Sequence, residues 1–192
     1  MKTLLNKFKQ FFHPISATTA MSVPSLPVTW LSGAVSLTLR PLVVADLNQA
    51  LAIERDVYDG KTPWDRLVFM NELSRQQDRL YLGLFTADDL LVGFIGAWFS
   101  NNETHVTNIA LRRSWQQQGW GQRLMGYLIA VASARGCRIM TLEARVDNKN
   151  ALALYRRLGF RDVRIRKNYY EQEQADAVSM RLELNSITKK NA

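Results

Sequence analysis

The order of apolar and polar positions divides the chain near Val35. From there "AVSLTLRPL" alternates with period two, as an edge strand does. "VVADLNQALAIERDVYD" then switches to helical spacing, with Leu47, Ala50, Leu51 and Ile53 on one stripe and Asp46 as a candidate N-cap. "PWDRLVFMNELSR" predicts a second, short helix, and "RLYLGLFTA" and "LLVGFIGAWFS" two strands joined by a turn at Asp88-Asp89. "ETHVTNIALR" is a third strand of this group and leads into a glycine pair, Gly119 and Gly121. Beyond it, Leu124, Leu128 and Val131 repeat at helical spacing up to Gly136, which suits a C′ position. "CRIMTLEAR" predicts a strand and "DNKNALALYRRLGF" a helix capped by Asp147 or Asn148 and closed by Gly159; "DVRIRKNYY" and "DAVSMRLEL" are two final strands. This is a mixed α/β order with a strand-glycine-helix-strand unit at its centre.

The stretch before Val35 has a different texture. In "MKTLLNKFKQFFHPISATTA" the residues Leu4, Leu5, Phe8, Phe11 and Phe12 fall at helical spacing, while Lys7, Lys9 and Gln10 interrupt any signal-peptide core. A short basic amphipathic helix is expected, followed by Pro14, Pro24, Pro27 and a Ser/Thr/Ala-rich run. Residues 1–35 are therefore assigned to a weakly ordered N-terminal extension and residues 36–192 to a single domain, with Met21 as an alternative start.

Composition narrows the picture in three ways. Of 192 residues, 47% are hydrophobic and 22% charged, which suits one globular domain with a sizeable core. The single cysteine, Cys137, rules out an internal disulfide and points to a reducing, cytoplasmic setting. Twenty-five Lys and Arg against 17 Asp and Glu give a formal charge of +8, which favours an anionic partner: nucleic acid, a membrane surface or a phosphorylated cofactor. No apolar run approaches the roughly 20 residues of a membrane span.

The glycine pair lies in "SWQQQGWGQRLM". A helix start offers unsatisfied backbone N–H groups and the positive end of the helix dipole, and glycine lets a ligand approach closely. The Lys-Ser/Thr of a nucleotide-triphosphate loop is missing, and on spacing alone a plain turn ranks ahead of a phosphate site.

The segment from Asn108 to Tyr170 resembles the GNAT family of acetyl-CoA-dependent N-acetyltransferases. The family's pyrophosphate signature, Arg/Gln-x-x-Gly-x-Gly/Ala, reads here Gln116-Gln117-Gln118-Gly119-Trp120-Gly121. Downstream, "TLEARVDNKNALALYRRLGF", "RIRKNYY" and "ADAVSMRLEL" are similar to the branch that acetylates the N-terminal alanine of ribosomal proteins. The resemblance covers roughly residues 36 to 184 and implies a single GNAT-like domain, a mixed central sheet flanked by helices. It implies Glu143 as general base and Tyr155 as general acid. It also implies Asn148 as a cofactor contact, Ile109, Ala110 and Leu111 as the strand that pairs with the pantetheine arm, and Gln117, Gln118, Gly119, Trp120, Gly121 and Gln122 as the loop around the diphosphate. Three positions depart from the pattern: Ala144 for Val, Gln117 where Arg is frequent, and Ala175 for the Glu of Glu-Asp-Ala, the last bearing on peptide contacts.

The expected reaction is transfer of acetyl from acetyl-CoA to the N-terminal alanine of a small-subunit ribosomal protein, by direct attack of the amine and without a metal. An α-amine, with a pKa near 7.7–8.0, needs only a modest base. Plainer readings stand beside each role. Glu143 could pair with Arg145 or another arginine, Tyr155 shares an apolar stripe with Ala151, Leu152 and Leu158, and Asn148 could be an N-cap alone. His105 reads as a strand residue, since no second ligand stands at a metal-binding spacing. The alternatives are a GNAT enzyme acting on lysine, a polyamine or another small amine and, ranked lower, a non-catalytic basic module for RNA or membrane. No direct nucleic-acid binding is expected.

Overall fold

The computed structural model describes residues 25–60, 64–75, 77–170 and 174–184. The predicted N-terminal amphipathic helix and the Met21 start lie outside them. Among the described residues, eight strands form one sheet: β1 (Val28–Ser32), β2 (Val35–Pro41), β3 (Arg79–Phe85), β4 (Leu91–Phe99), β5 (Glu103–Leu111), β6 (Ile139–Arg145), β7 (Arg161–Tyr170) and β8 (Ala175–Glu183). Four helices accompany them: α1 (Leu47–Val57), α2 (Arg66–Ser74), α3 (Trp120–Ala134) and α4 (Lys149–Arg157). The spatial order is β1-β2-β3-β4-β5-β6-β8-β7, antiparallel except where β5 meets β6. That parallel pair requires a crossover, which α3 supplies.

Both faces of the sheet are covered. Trp120, Leu124, Leu128 and Ala132 of α3 and Leu152 and Tyr155 of α4 pack with Leu82, Leu84, Ile95, Met140 and Leu142 in one core. Leu47, Ala50, Leu51 and Ile53 of α1 and Phe69 of α2 pack with Tyr81, Phe85, Phe94 and Ala110 in the other. Strand β4 lies between them and is buried along its whole length, as an apolar central strand should be. At Gly96 the reason for glycine is steric: a Cβ there would stand 2.1 Å from the Tyr81 ring.

Local chemistry sets the element ends. Gly136 and Gly159 take positive φ values of 78° and 94°, and the amides that follow reach back to Ala132 and Tyr155, closing α3 and α4 as the sequence predicts. Asp65 caps α2 by accepting from Val68 N–H at 2.9 Å. Asp46 stands at the start of α1, but its carboxylate turns back to Val43 N–H and Arg40 instead of capping the helix.

One assignment needs correcting. Residues 28–32 lie inside the stretch given to the extension, yet they form β1 on the sheet edge, turned into β2 by Gly33 at φ 58°. The strand is anchored by Trp30 against Tyr127 of α3, with ring centroids 6.3 Å apart, and by Arg123 Nη1 donating to Leu31 O at 3.0 Å. Prolines on one side and a glycine on the other make five strand residues read as linker.

Candidate active site

The site begins with an incomplete strand pairing. β5 pairs with β6 only from Glu103 to Val106, against Ile139 to Leu142; beyond Val106 it keeps β4 alone, while β6 continues on β8. The register of β4 on β5 slips between Gly96 and Ala97, at the level where the two parallel strands part. Past that point β5 has a row of main-chain groups with no strand opposite. Arg112 N–H bonds Val92 O, so the antiparallel alternation turns the polar groups of Ile109 and Leu111 away from β4 and those of Ala110 toward it. Gln116 Nε2 already donates to Leu111 O at 2.9 Å, which leaves the Leu111 N–H and both groups of Ile109 facing the gap.

A groove of about 1200 Å³ occupies this gap. Its walls include Ile109, Ala110 and Leu111 of β5, Gln117, Gly119, Gly121 and Gln122 before and within α3, and Asn148 and Tyr155 at α4. Gln117 and Gly119 have φ values of 60° and 85°, folding the loop tightly before the helix. Gly119 is the N-cap of a 15-residue helix and provides no side-chain cap, so the first-turn amides remain available to an anion. Most of the residues singled out in the sequence for a cofactor thus share one groove. Two side chains do not: Trp120 is buried in the core, leaving its backbone alone for the loop, and Gln118 Nε2 donates to Ser114 O at 2.8 Å.

Tyr155 is 6% exposed and tilts against Phe160, with ring centroids 6.0 Å apart. It is therefore both the core tyrosine its stripe suggests and a groove residue. Burial pushes its phenol well above the ordinary value, and the neighbouring Tyr58 adds to this. Asn148 is an N-cap, accepting from Ala151 N–H at 3.1 Å, and also lines the groove.

Glu143 shares its face of β6 with Arg145, which lines the groove, but does not itself line it. Arg145, its suggested partner, pairs instead with Asp147. The Glu143 carboxylate accepts from Ser179 Oγ at 3.1 Å, with Arg166 Nε at 3.5 Å and His105 Nε2 at 3.3 Å. Burial raises its pKa; Arg166, Ser179 and Arg164 pull it back without cancelling the rise. His105 is held neutral, its pKa depressed to about 3 by burial and by Arg166, so its contact with Glu143 is not an ion pair. Tyr170 stands near both candidates: burial raises its pKa, and Tyr58, Tyr155 and Glu143 add to the rise.

Several residues of this region carry little sequence signal. Glu54 is fully buried, accepting from Trp64 N–H at 3.0 Å and Asn108 Nδ2 at 2.8 Å, which ties the segment after α1 to β5. Tyr58 and Arg157 line the groove. Only a lone acidic residue on the apolar stripe of α1 could have flagged Glu54. Among the described residues, no group of three His, Cys, Asp or Glu is placed to hold a metal ion, and no helix is long and apolar enough to cross a membrane.

A sheet split between two parallel strands, with a helix N-terminus at the split, offers a ligand in the gap the unpaired main-chain groups of β5 and α3. The chain belongs to the acetyltransferase (GNAT) family, whose profile matches residues 45–160, more than half its length. It is 34% identical over 151 residues to the ribosomal protein bS18-alanine N-acetyltransferase of Salmonella typhimurium, covering 77% of this chain and 98% of that one. It is 35% identical to an uncharacterized protein of Mycobacterium leprae, of whose length it spans 41%. Among solved structures, the ribosomal-protein-S18-alanine N-acetyltransferase of Escherichia coli superposes with a TM-score of 0.69 at 31% identity, over 77% of this chain and 94% of that one. NAA60 of Arabidopsis thaliana, solved with acetyl-CoA, shares the fold at 18% identity and a TM-score of 0.68, over 78% and 99% of the two chains. The protein is an acetyltransferase.

Proposed function

We propose that this enzyme transfers acetyl from acetyl-CoA to the N-terminal alanine amine of ribosomal protein bS18. The observation that carries the reading is the 34% identity running through 98% of the Salmonella enzyme that acts on that alanine. The groove supports the donor. The α3 amides suit a diphosphate, the outward groups of Ile109 suit an amide of pantetheine, and Asn148 lines the same groove.

In this reading Glu143, its pKa raised by burial, takes a proton from the incoming ammonium through water. The free amine attacks the thioester carbon, and the Leu111 N–H faces the oxyanion that forms. When the intermediate collapses, the C–S bond breaks and Tyr155 protonates the sulfur. A phenol raised above its ordinary value of 10 does not yield a proton readily to a thiolate near 8.5, so the transfer is coupled to return of the nitrogen's proton to Tyr155. Starting from the ammonium, each turnover releases one proton.

The test is acetylation of a peptide with the bS18 N-terminal sequence by the purified protein, read by mass, beside lysine peptides and polyamines. Modification of the α-amine of the alanine is expected. Faster acetylation of a lysine side chain or polyamine sinks the acceptor assignment.

A further inference from the structure

The proton that Glu143 takes up lands on a largely buried side chain, and the polar residues behind Glu143 form a line. Glu143 Oε2 faces His105 Nε2 at 3.3 Å; His105 Nδ1 lies 2.9 Å from Thr141 Oγ1; Thr141 Oγ1 donates to Glu103 Oε1 at 2.8 Å. The spacing follows from the fold. His105 and Thr141 are register partners where β5 and β6 still pair, and Glu103 opens β5. His105 is 5% exposed, whereas Glu103 is half-buried at the strand's outer end. We propose that Glu143, His105, Thr141 and Glu103 form a proton relay that carries the proton taken from the acceptor amine out of the cleft to solvent.

The bonds fix the direction. Thr141 spends its one proton on Glu103, so its oxygen must receive from His105, which places the imidazole proton on Nδ1. The neutral ring then turns a lone pair from Nε2 toward Glu143 Oε2, a buried oxygen without a partner of its own, while the Tyr169 hydroxyl bonds the same carboxylate group. Two facing acceptors are unfavourable until Glu143 takes up a proton. Then Oε2–H protonates Nε2, Nδ1–H passes to Thr141 Oγ1, and the Thr141 hydroxyl proton passes to Glu103 Oε1. One proton enters at Glu143 and one leaves at Glu103, with no change of charge between them. Passage of the proton leaves the ring protonated on Nε2, and the Nδ1–H tautomer must be regained before the next turnover. The other charged groups that bear on this line, Arg166 and Arg164 on β7, stand at its Glu143 end and favour removal of the proton toward Glu103. His105 and Thr141 act through Glu143 and are positioning residues.

The relay rests on the acetyltransfer proposed above, and the experiment separates the two. The full chain is assayed with acetyl-CoA and the bS18 peptide, following thiol release. Glu103→Gln keeps an acceptor for Thr141 but cannot take up its proton, so a purely structural chain predicts unchanged turnover. The relay predicts a kcat lowered roughly tenfold or more, acetyl-CoA KM unchanged, and recovery as a small base such as imidazole is added at the solvent end. Thr141→Val and His105→Gln are expected to slow turnover similarly, and Thr141→Ser to restore it. Wild-type kcat in Glu103→Gln at every buffer concentration overturns the relay, even if His105→Gln is slow. A wild type that leaves the peptide unmodified overturns the acceptor reading and the relay with it.

Discussion

Replacing Tyr155 by phenylalanine separates the two roles open to its side chain, because the ring packs against Phe160 and the residue also lines the groove. The substitution removes no core volume, so the melting temperature should stay near wild type. Turnover should fall by about 10² if the hydroxyl carries the proton to sulfur, with acetyl-CoA binding unchanged. Full activity at saturating donor would show the tyrosine to be core alone. Gly119 is the converse case, where backbone matters and side-chain space does not. A Cβ there meets nothing within 4 Å, but φ is 85°. Gly119→Ala should cost about 1–2 kcal/mol through the left-handed backbone and weaken acetyl-CoA several-fold as the loop relaxes, measurable by calorimetry. Undiminished affinity in a stable Gly119→Ala protein would dissociate the loop from the donor.

At the level of elements, α4 and α1 each hold a site wall by one polar residue. Asn148 caps α4, and Asn148→Ala should destabilise by about 1 kcal/mol. Asn148→Asp preserves the cap and sets a carboxylate beside an anionic donor, so stability should hold while acetyl-CoA KM rises. Parallel losses in both variants would leave the residue only its cap. Glu54 holds α1, and its pKa rises from 4.5 to about 7 because burial outweighs its two donors. The folded state then keeps a proton that the unfolded chain releases near 4.5, so stability falls as pH climbs from about 4.5 to 7, by on the order of 3 kcal/mol. Urea midpoints across that window should converge between wild type and Glu54→Gln at the acid end and separate at the neutral end; a constant offset refutes the assignment. The helices, their glycine stops and the strand-glycine-helix unit were legible because their causes are local in the sequence. The splay of β5 from β6 was not, since it depends on which strand each edge meets. Glu143 is singled out by the motif, but its surroundings come from His105, Arg166 and Ser179, distant in sequence and joined only by sheet register. β1 was missed because five residues between breakers carry too little alternation.

Across the whole molecule, charge acts at longer range than any of these contacts. The chain carries +8, while its proposed donor is a polyanion. Among the described residues lining the groove the cations are Arg145, paired with Asp147, and Arg157, while Asp59 is paired with Arg113, so local pairs supply little net attraction. The steering must therefore come mainly from the summed field and from the α3 terminus, which lies where the diphosphate would enter. A field of that kind is screened over about 10 Å at 0.1 M salt, whereas main-chain hydrogen bonds inside the groove are not. Raising ionic strength should slow association of acetyl-CoA severalfold and leave its dissociation nearly unchanged, as followed by stopped-flow fluorescence. Arg157→Ala should lower the association rate modestly without removing the salt dependence. If that one substitution abolishes the dependence, the attraction is a single contact and not the field of the molecule.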